Sequence, residues 1–207
     1  MSNPWLDIPL SDYEGHMALP AVGQASLIAK LLGQAISRWA PSSLAIIGCA
    51  GGNGFEQIRP ELVKRVVAVD LNSQYIQKTR ERHLQRLPSL ELLCADVQSE
   101  QLDYGPVDFT YAALLFEYVD ISSVLRTLKR NSRPGAALTT VLQLPHAAMS
   151  LVSPSPYQSL GSLASLMTLV APEELQSAAR KTGFAFADAA TVELPSGKQF
   201  CIQNFLA

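Results

Sequence analysis

The sequence predicts an α/β protein in which a mostly parallel sheet carries helices on both faces and ends in an antiparallel hairpin. Three observations predict it. Short apolar runs alternate with segments of helical spacing from residue 43 onward. The strand-like runs are continuously apolar, as expected where crossover helices cover both faces of a parallel sheet. The last two extended runs, Phe184 to Leu194 and Gln199 to Leu206, flank a Pro195-Ser196-Gly197 turn.

In chain order, residues 1–20 show no clear period and are expected to be an irregular segment that covers part of the molecule. From Ala21 to Trp39, apolar residues recur at Ala25, Ile28, Leu32, Ala35 and Trp39, the spacing of an amphipathic helix that Pro41 stops. Ser43 to Gly48 and Arg65 to Val69 are the first two strands, the second ending in Asp70. Ser73 to Leu87 is the next helix, capped by Asn72 and closed by Pro88. Leu90 to Cys94 and Val107 to Ala113 follow as strands, Ile121 to Lys129 as a helix, and Ala136 to Gln143 as a strand after the Pro134-Gly135 turn. Residues 145–170, about 25 in number, are too long for an ordinary connection and are expected to be a substrate-side insertion or lid. Pro172-Glu173-Glu174 opens the last helix, with proline and acids where a helix start favours them, and Gly183 closes it.

At 207 residues, 48% hydrophobic and 16% charged, the chain suits a single domain spanning 1–207. A net charge of −2 provides no basic field to draw it to nucleic acid or an anionic membrane. Cys49, Cys94 and Cys201 are widely separated and lack zinc or disulfide spacing, so they are expected to be packed thiols in a reducing compartment. With no apolar run of spanning length and no basic-then-apolar start, a cytoplasmic location is expected, and no metal is expected.

In an open α/β sheet the ligand lies beyond the carboxyl ends of the strands, so the loops after strands one to four should carry the chemistry. After strand one, Gly48, Gly51, Gly52 and Gly54 remove side chains from a tight turn, which lets backbone N–H groups approach a ligand at a helix start. Asp70 lies about twenty residues further on, where a carboxylate can accept both hydroxyls of a ribose. Gly-x-Gly-x-x-Gly cannot be threaded onto residues 48–54, which disfavours a dinucleotide, and no Gly-Lys-Ser/Thr follows for a nucleotide phosphate. A nucleoside without a pyrophosphate fits better.

Four motifs in order carry a family resemblance: Leu44-Ala-Ile-Ile-Gly-Cys-Ala-Gly-Gly-Asn-Gly54, Val66-Val-Ala-Val-Asp70, Cys94-Ala-Asp96 and Asp108-Phe-Thr-Tyr-Ala-Ala-Leu-Leu-Phe-Glu-Tyr-Val-Asp120. Together they resemble class I S-adenosylmethionine-dependent methyltransferases. The resemblance implies a Rossmann-like, seven-stranded, mostly parallel sheet whose antiparallel C-terminal hairpin matches the one read above. It implies that Gly48, Cys49, Ala50 and Gly52 line the methionine part of S-adenosyl-L-methionine. Asp70 with Leu71 would hold the ribose, Asp96 and Val97 would flank the adenine, and Ala112 and Ala113 would border the methyl group. Such enzymes commonly carry an acid two positions before the first glycine and a glycine two positions after it. Ile46 and Ala50 stand there instead, and Glu14 is the candidate to supply the missing carboxylate.

Methyl transfer from a sulfonium is an in-line displacement that depends mainly on alignment and exclusion of water, so few catalytic side chains are expected. Tyr13, His16, Glu117 and His146 are the candidates to handle a proton. Glu117 could instead cap the helix that follows it, Tyr157 could belong to the lid, and His83 with Arg80, Arg82 and Arg86 is expected on a solvated face. The amino-methylating motifs Asn-Pro-Pro-Tyr and Asp-Pro-Pro-Tyr are absent after strand four, so a small-molecule acceptor is favoured over nucleic acid. A protein that binds S-adenosylmethionine or a nucleoside without catalysis, or another Rossmann-type enzyme, stays open as the alternative.

Overall fold

The computed structural model describes residues 3–145 and 153–207. A 3-10 turn at Pro4–Leu6 precedes helices α1 (Leu10–Ala18) and α2 (Gln24–Trp39). Then come β1 (Ser43–Ile47), β2 (Arg65–Asp70), α3 (Ser73–His83), β3 (Leu90–Cys94) and β4 (Val107–Ala113). Helix α4 (Ile121–Arg130), β5 (Ser132–Gln143), α5 (Pro172–Lys181), β6 (Ala185–Glu193) and β7 (Gln199–Leu206) complete the order.

The seven strands form one sheet in the order β3-β2-β1-β4-β5-β7-β6. Pairs from β3 through β5 are parallel, and β7 runs antiparallel to both β5 and β6. Strand order reverses between β1 and β4, so the crevice opens at their carboxyl ends. β1 shows why its sequence is continuously apolar. Leu44 and Ile46 enter a core with Leu27 and Leu32 of α2, whereas Ala45 and Ile47 enter another with Val124 and Leu128 of α4 and Leu175 of α5.

Helix ends follow local chemistry. The Asn72 carboxamide accepts from the Gln74 and Tyr75 N–H groups at the start of α3, and the Asp120 carboxylate accepts from Ser123 N–H at the start of α4. α5 starts with Pro172 and carries Glu173 and Glu174 in its first turn, as predicted.

Four local expectations change. The N-terminal segment is helical at Leu10–Ala18 because tertiary contacts compensate for a weak apolar period: Tyr75 Oη donates to Ile8 O at 2.9 Å, and Arg82 pairs with Glu14. α3 ends at His83 rather than Leu87, where Leu87 N–H still reaches His83 O in a last turn. β5 begins at Ser132, which pairs with Val107 before the register slips around Gly135, so the predicted turn is an irregularity inside a strand. Finally, the glycine loop leads into a single 3-10 turn, Phe55–Gln57, and not into the helix start expected there.

The loop lies tightly against α2. A methyl group on Gly54 (φ +85°) would stand 2.9 Å from Ala29 Cα, a backbone atom that cannot step aside. Gly135 (φ +78°) has the same handedness with open space around it. Gly135→Ala should therefore cost about 1–2 kcal/mol, and Gly54→Ala roughly 2 kcal/mol more, because it adds a clash to the backbone strain. Urea unfolding of the two variants measures this; equal midpoints would remove α2 packing as the reason for Gly54.

Candidate active site

The carboxyl ends of β1, β2, β3 and β4 surround a cavity whose floor includes Gly48, Asp70, Asp96 and Ala113. Its geometry starts from Asp70. Asp70 Oδ2 accepts from Ala50 N–H at 2.8 Å and Oδ1 from Asn72 N–H at 2.9 Å, so one carboxylate ties the β1 loop to the start of α3. Burial pushes the Asp70 carboxyl above its usual range, and the N–H groups of Asn72, Ala50 and Leu71 oppose that rise by favouring the charged form. Ala50 pays for its place with a left-handed backbone (φ +45°), the position where the resembling enzymes carry glycine.

The four glycines do different jobs. A methyl on Gly48 (φ +70°) would meet only Leu115 Cδ1 at 3.4 Å, so Gly48 keeps the cavity floor bare. Gly51 lies beneath the Glu14–Arg82 pair, and Gly52 (φ +84°) lies beneath His83, whose Nε2 would be 2.6 Å from a methyl there. His83 is thus not on a solvated face; it packs on the loop and against Phe55, with ring centroids 5.0 Å apart. Burial first, and then the Arg86 and Arg82 charges, lower its pKa, while a backbone contact to Gly51 opposes them. Three of the four glycines therefore answer to packing.

The cavity collects Gly48, Ala50, Asp70, Leu71, Asp96, Val97 and Ala113 from the predicted cofactor residues. Cys49, Gly52 and Ala112 lie behind that surface: Cys49 and Ala112 are buried in the cores on either side of the sheet, and Gly52 faces His83. Glu14 is also outside the lining, because its carboxylate is engaged by Arg82, with Nη2 to Oε2 at 3.0 Å. Ile46 could not be replaced by an acid without burying the charge among Leu44, Phe55 and Tyr111.

The cavity is also lined by Tyr13, a candidate from the sequence, by Tyr118 of the loop after β4, and by Trp5, which the sequence did not single out. Trp5 and Tyr13 meet edge to face with centroids 5.6 Å apart, and Trp5 meets Tyr118 at 5.1 Å. Asn72 Nδ2 donates to Trp5 O at 2.9 Å, which anchors this N-terminal segment to the same residue that caps α3. Ser159 Oγ donates to Asp12 Oδ2 at 2.7 Å, and Tyr157 lies over Gly15, so the 3-10 segment Gln158–Ser165 packs on α1.

Trp5, Tyr13, Leu114 and Tyr118 also wall a second cavity. Leu114, at the end of β4, is held in a left-handed conformation (φ +52°) between the two. The lining of the second cavity includes four buried polar residues, His16, Gln24, Gln143 and Lys198. Gln143 Oε1 accepts from Gln24 Nε2 at 3.5 Å and from Lys198 Nζ at 3.4 Å. His16 Nδ1 is buried without a hydrogen-bond partner among the described residues. Burial and the Lys198 charge lower the His16 pKa, and burial lowers that of Lys198.

Tyr13 lines both cavities, and burial, reinforced by the Asp70 and Glu14 charges, holds its phenol well above the usual range. Glu117 lines neither cavity. Its Oε1 accepts from Gln143 N–H at 2.7 Å, and its Oε2 has no partner among the described residues. The helix beginning at Ile121 is capped by Asp120, not by Glu117. His146 lies outside the described residues. Among the described residues, no cluster of three or more His, Cys, Asp or Glu could hold a metal ion, and no helix is long and apolar enough to cross a membrane.

Residues 46–140 match the methyltransferase domain family. No curated protein matches the chain. Among solved structures, it is similar to the N-methyltransferase NodS of Bradyrhizobium japonicum WM9 in complex with S-adenosyl-L-homocysteine, with TM-score 0.67 and 16% identity over 88% of this chain and 86% of that one. It is similar to an S-adenosylmethionine-dependent methyltransferase of Mesorhizobium loti, with TM-score 0.67 and 14% identity over 84% and 96%. The [4+2]-cyclase SpnF also shares the fold, with TM-score 0.67 and 13% identity over 85% and 80%. Residues 46–140 thus match a methyltransferase domain, and the chain as a whole shares the fold of S-adenosylmethionine-dependent methyltransferases.

Proposed function

We propose that the protein methylates a small-molecule acceptor, with S-adenosylmethionine in the first cavity and the acceptor in the second. The observation that carries this reading is the wall the two cavities share at the end of β4, formed by Trp5, Tyr13, Leu114 and Tyr118. The residues of the first cavity fit the cofactor. Each Asp70 oxygen accepts one backbone N–H and keeps a lone pair for a ribose hydroxyl. Asp96 and Val97, which line the same cavity, would flank the adenine, and bare Gly48 would leave room for the methionine part. When bound there, S-adenosylmethionine supplies an electrophilic methyl group on a sulfonium sulfur.

The chain's own contribution is alignment and dryness. The aromatic wall excludes water and orients the acceptor toward Leu114. His16, with a free ring nitrogen and a lowered pKa, is neutral near pH 7 and takes the acceptor's proton at Nδ1. Tyr13, held protonated, donates a hydrogen bond rather than acting as a base. Glu117 is a positioning residue that fixes Gln143 through its backbone.

Calorimetric titration should show S-adenosylmethionine and S-adenosylhomocysteine binding to the wild-type protein and at least tenfold weaker binding to Asp70→Asn, since hydrogen bonds to a charged group contribute about 1.5–3 kcal/mol. Binding of NAD in place of both would overturn the cofactor assignment. His16→Gln should lower kcat at pH 7 by about 100-fold while the cofactor affinity stays within twofold. An unchanged kcat would remove His16 as the base.

Glu117 makes a prediction about pH. Burial raises its pKa from 4.5 to about 7 in the folded protein. The folded state therefore holds this proton more tightly than the unfolded chain, and the contribution to stability is complete below pH 4.5 and is lost as pH rises through 7. The loss amounts to about 3 kcal/mol. Glu117→Gln should remove that fall, which denaturant unfolding of both proteins at pH 5 and pH 8 measures; parallel slopes would show that Glu117 does not titrate inside the fold.

A further inference from the structure

The first cavity has the electrostatics of a cation site, yet the acids at it are already engaged. Among the described residues that line it there is no lysine, arginine or histidine, whereas Asp70, Asp96 and four aromatic side chains, Trp5, Tyr13, Tyr75 and Tyr118, are present. Asp70 bridges two backbone N–H groups, and Asp96 Oδ1 accepts from Gln98 N–H at 2.9 Å. Glu14, the candidate for a further acid, is held by Arg82. What remains to meet a positive charge is the aromatic wall.

That wall is fixed before any ligand arrives. Trp5 is clamped through its backbone, with its N–H donating to Asn3 Oδ1 at 3.1 Å and its carbonyl accepting from Asn72 Nδ2 at 2.9 Å. Its ring stands at 78° to that of Tyr13 and at 86° to that of Tyr118. Tyr13 is backed in turn by Tyr75, whose ring is tilted by 23° with its centroid 6.3 Å away, and Tyr75 is itself pinned by donation to Ile8 O. Rings set near right angles form a corner, so a cation beside them meets π surface on more than one side. The ring quadrupole attracts such a cation, most strongly at tryptophan and where water is excluded. Because the rings are already ordered, little conformational entropy is lost when they engage it.

The corner also stands where the reacting charge must be. Trp5, Tyr13 and Tyr118 line both cavities, and a methyl group passing from one to the other crosses that wall. Resting on the cofactor assignment above, we propose that the Trp5, Tyr13 and Tyr118 rings form a charge-selective sulfonium subsite, which makes the protein prefer S-adenosylmethionine to S-adenosylhomocysteine. The two molecules differ by one methyl group and by the positive charge on sulfur. When the acceptor gains the methyl group and its proton passes to His16, the C–S bonding pair stays on sulfur and leaves a neutral thioether. The rings then lose the attraction that held the sulfur, and the product gives way to fresh cofactor. Since the attraction fades as the charge leaves, it serves selection and exchange and does not speed the chemical step.

Calorimetric titration of the full chain with S-adenosylmethionine, S-adenosylhomocysteine and sinefungin, which carries an ammonium in place of the sulfonium, tests this. The wild-type protein should bind both cations about tenfold more tightly than the neutral thioether. Trp5→Leu, which keeps an apolar contact and removes the π face, should lower that ratio by about threefold or more, and Trp5→Phe should retain more of it. Tyr118→Leu should lower the ratio as well, and it carries the test where Trp5→Leu fails to fold. Equal binding of the three molecules by the wild-type protein would overturn the proposal, as would a loss of affinity in the leucine variants that is the same for cation and thioether, which would leave the rings a covering role alone. Sinefungin binding no more tightly than S-adenosylhomocysteine would overturn it too, by assigning the preference to the methyl group and not to charge. These outcomes leave the cofactor assignment standing, whereas failure of all three to bind the wild-type protein would remove the methyltransferase reading itself.

Discussion

The bridge that the Asp70 carboxylate makes between Ala50 N–H and Asn72 N–H organises the ligand end of this molecule. It joins the loop after β1 to the loop after β2 across the neighbouring parallel strands. Asn72 then extends the connection in two directions, capping α3 with its carboxamide oxygen and holding Trp5 O with its nitrogen. A burial that would otherwise disfavour the charge is offset by backbone dipoles aimed at it. One acidic side chain thereby shapes the floor, the side and the cover of the first cavity.

The glycine loop illustrates how a functional signature and a packing requirement share the same residues. Gly48 leaves its space to the cavity, whereas Gly51, Gly52 and Gly54 accommodate Arg82 with Glu14, His83, and the backbone of α2. No full helix follows the loop, so there is no helix dipole to favour a phosphate, which agrees with a ligand lacking one. Ala50 and Leu114 both hold left-handed backbone conformations on opposite sides of the crevice. Strain of this kind persists where the surrounding structure over-determines it, and here Ala50 lines the first cavity and Leu114 lines both.

Fold and chemistry separate clearly in this architecture. A similar fold accompanies an N-methyltransferase and a cyclase among the similar structures, so the strands alone do not select a reaction. Selection lies in what covers the carboxyl ends. Here the cover is α1 with the aromatic residues Trp5, Tyr13 and Tyr118, supported by the Gln158–Ser165 segment. Lys198, turned inward from the β6–β7 turn, lines the second cavity and not the first.

The sheet was readable from the chain, because continuous apolar runs such as Leu44 to Ile47 and Val66 to Val69 are stable only when covered on both faces. So were the positions of Asp70 and Asp96, since loops at strand ends follow once the strands are known. The α1 helix was not legible, because its polar residues mask the apolar period and its stability comes from Asn72, Tyr75 and Arg82 far along the chain. Glu14 and Glu117 are polar residues near the right loops whose carboxylates the fold turned elsewhere, toward Arg82 and toward the Gln143 backbone. Lys198 in a turn looks like any solvated lysine until β5 and β7 pair. Which side chains face the cavities emerged with the three-dimensional packing, because that depends on register and contacts across segments distant in the chain, which local spacing does not encode.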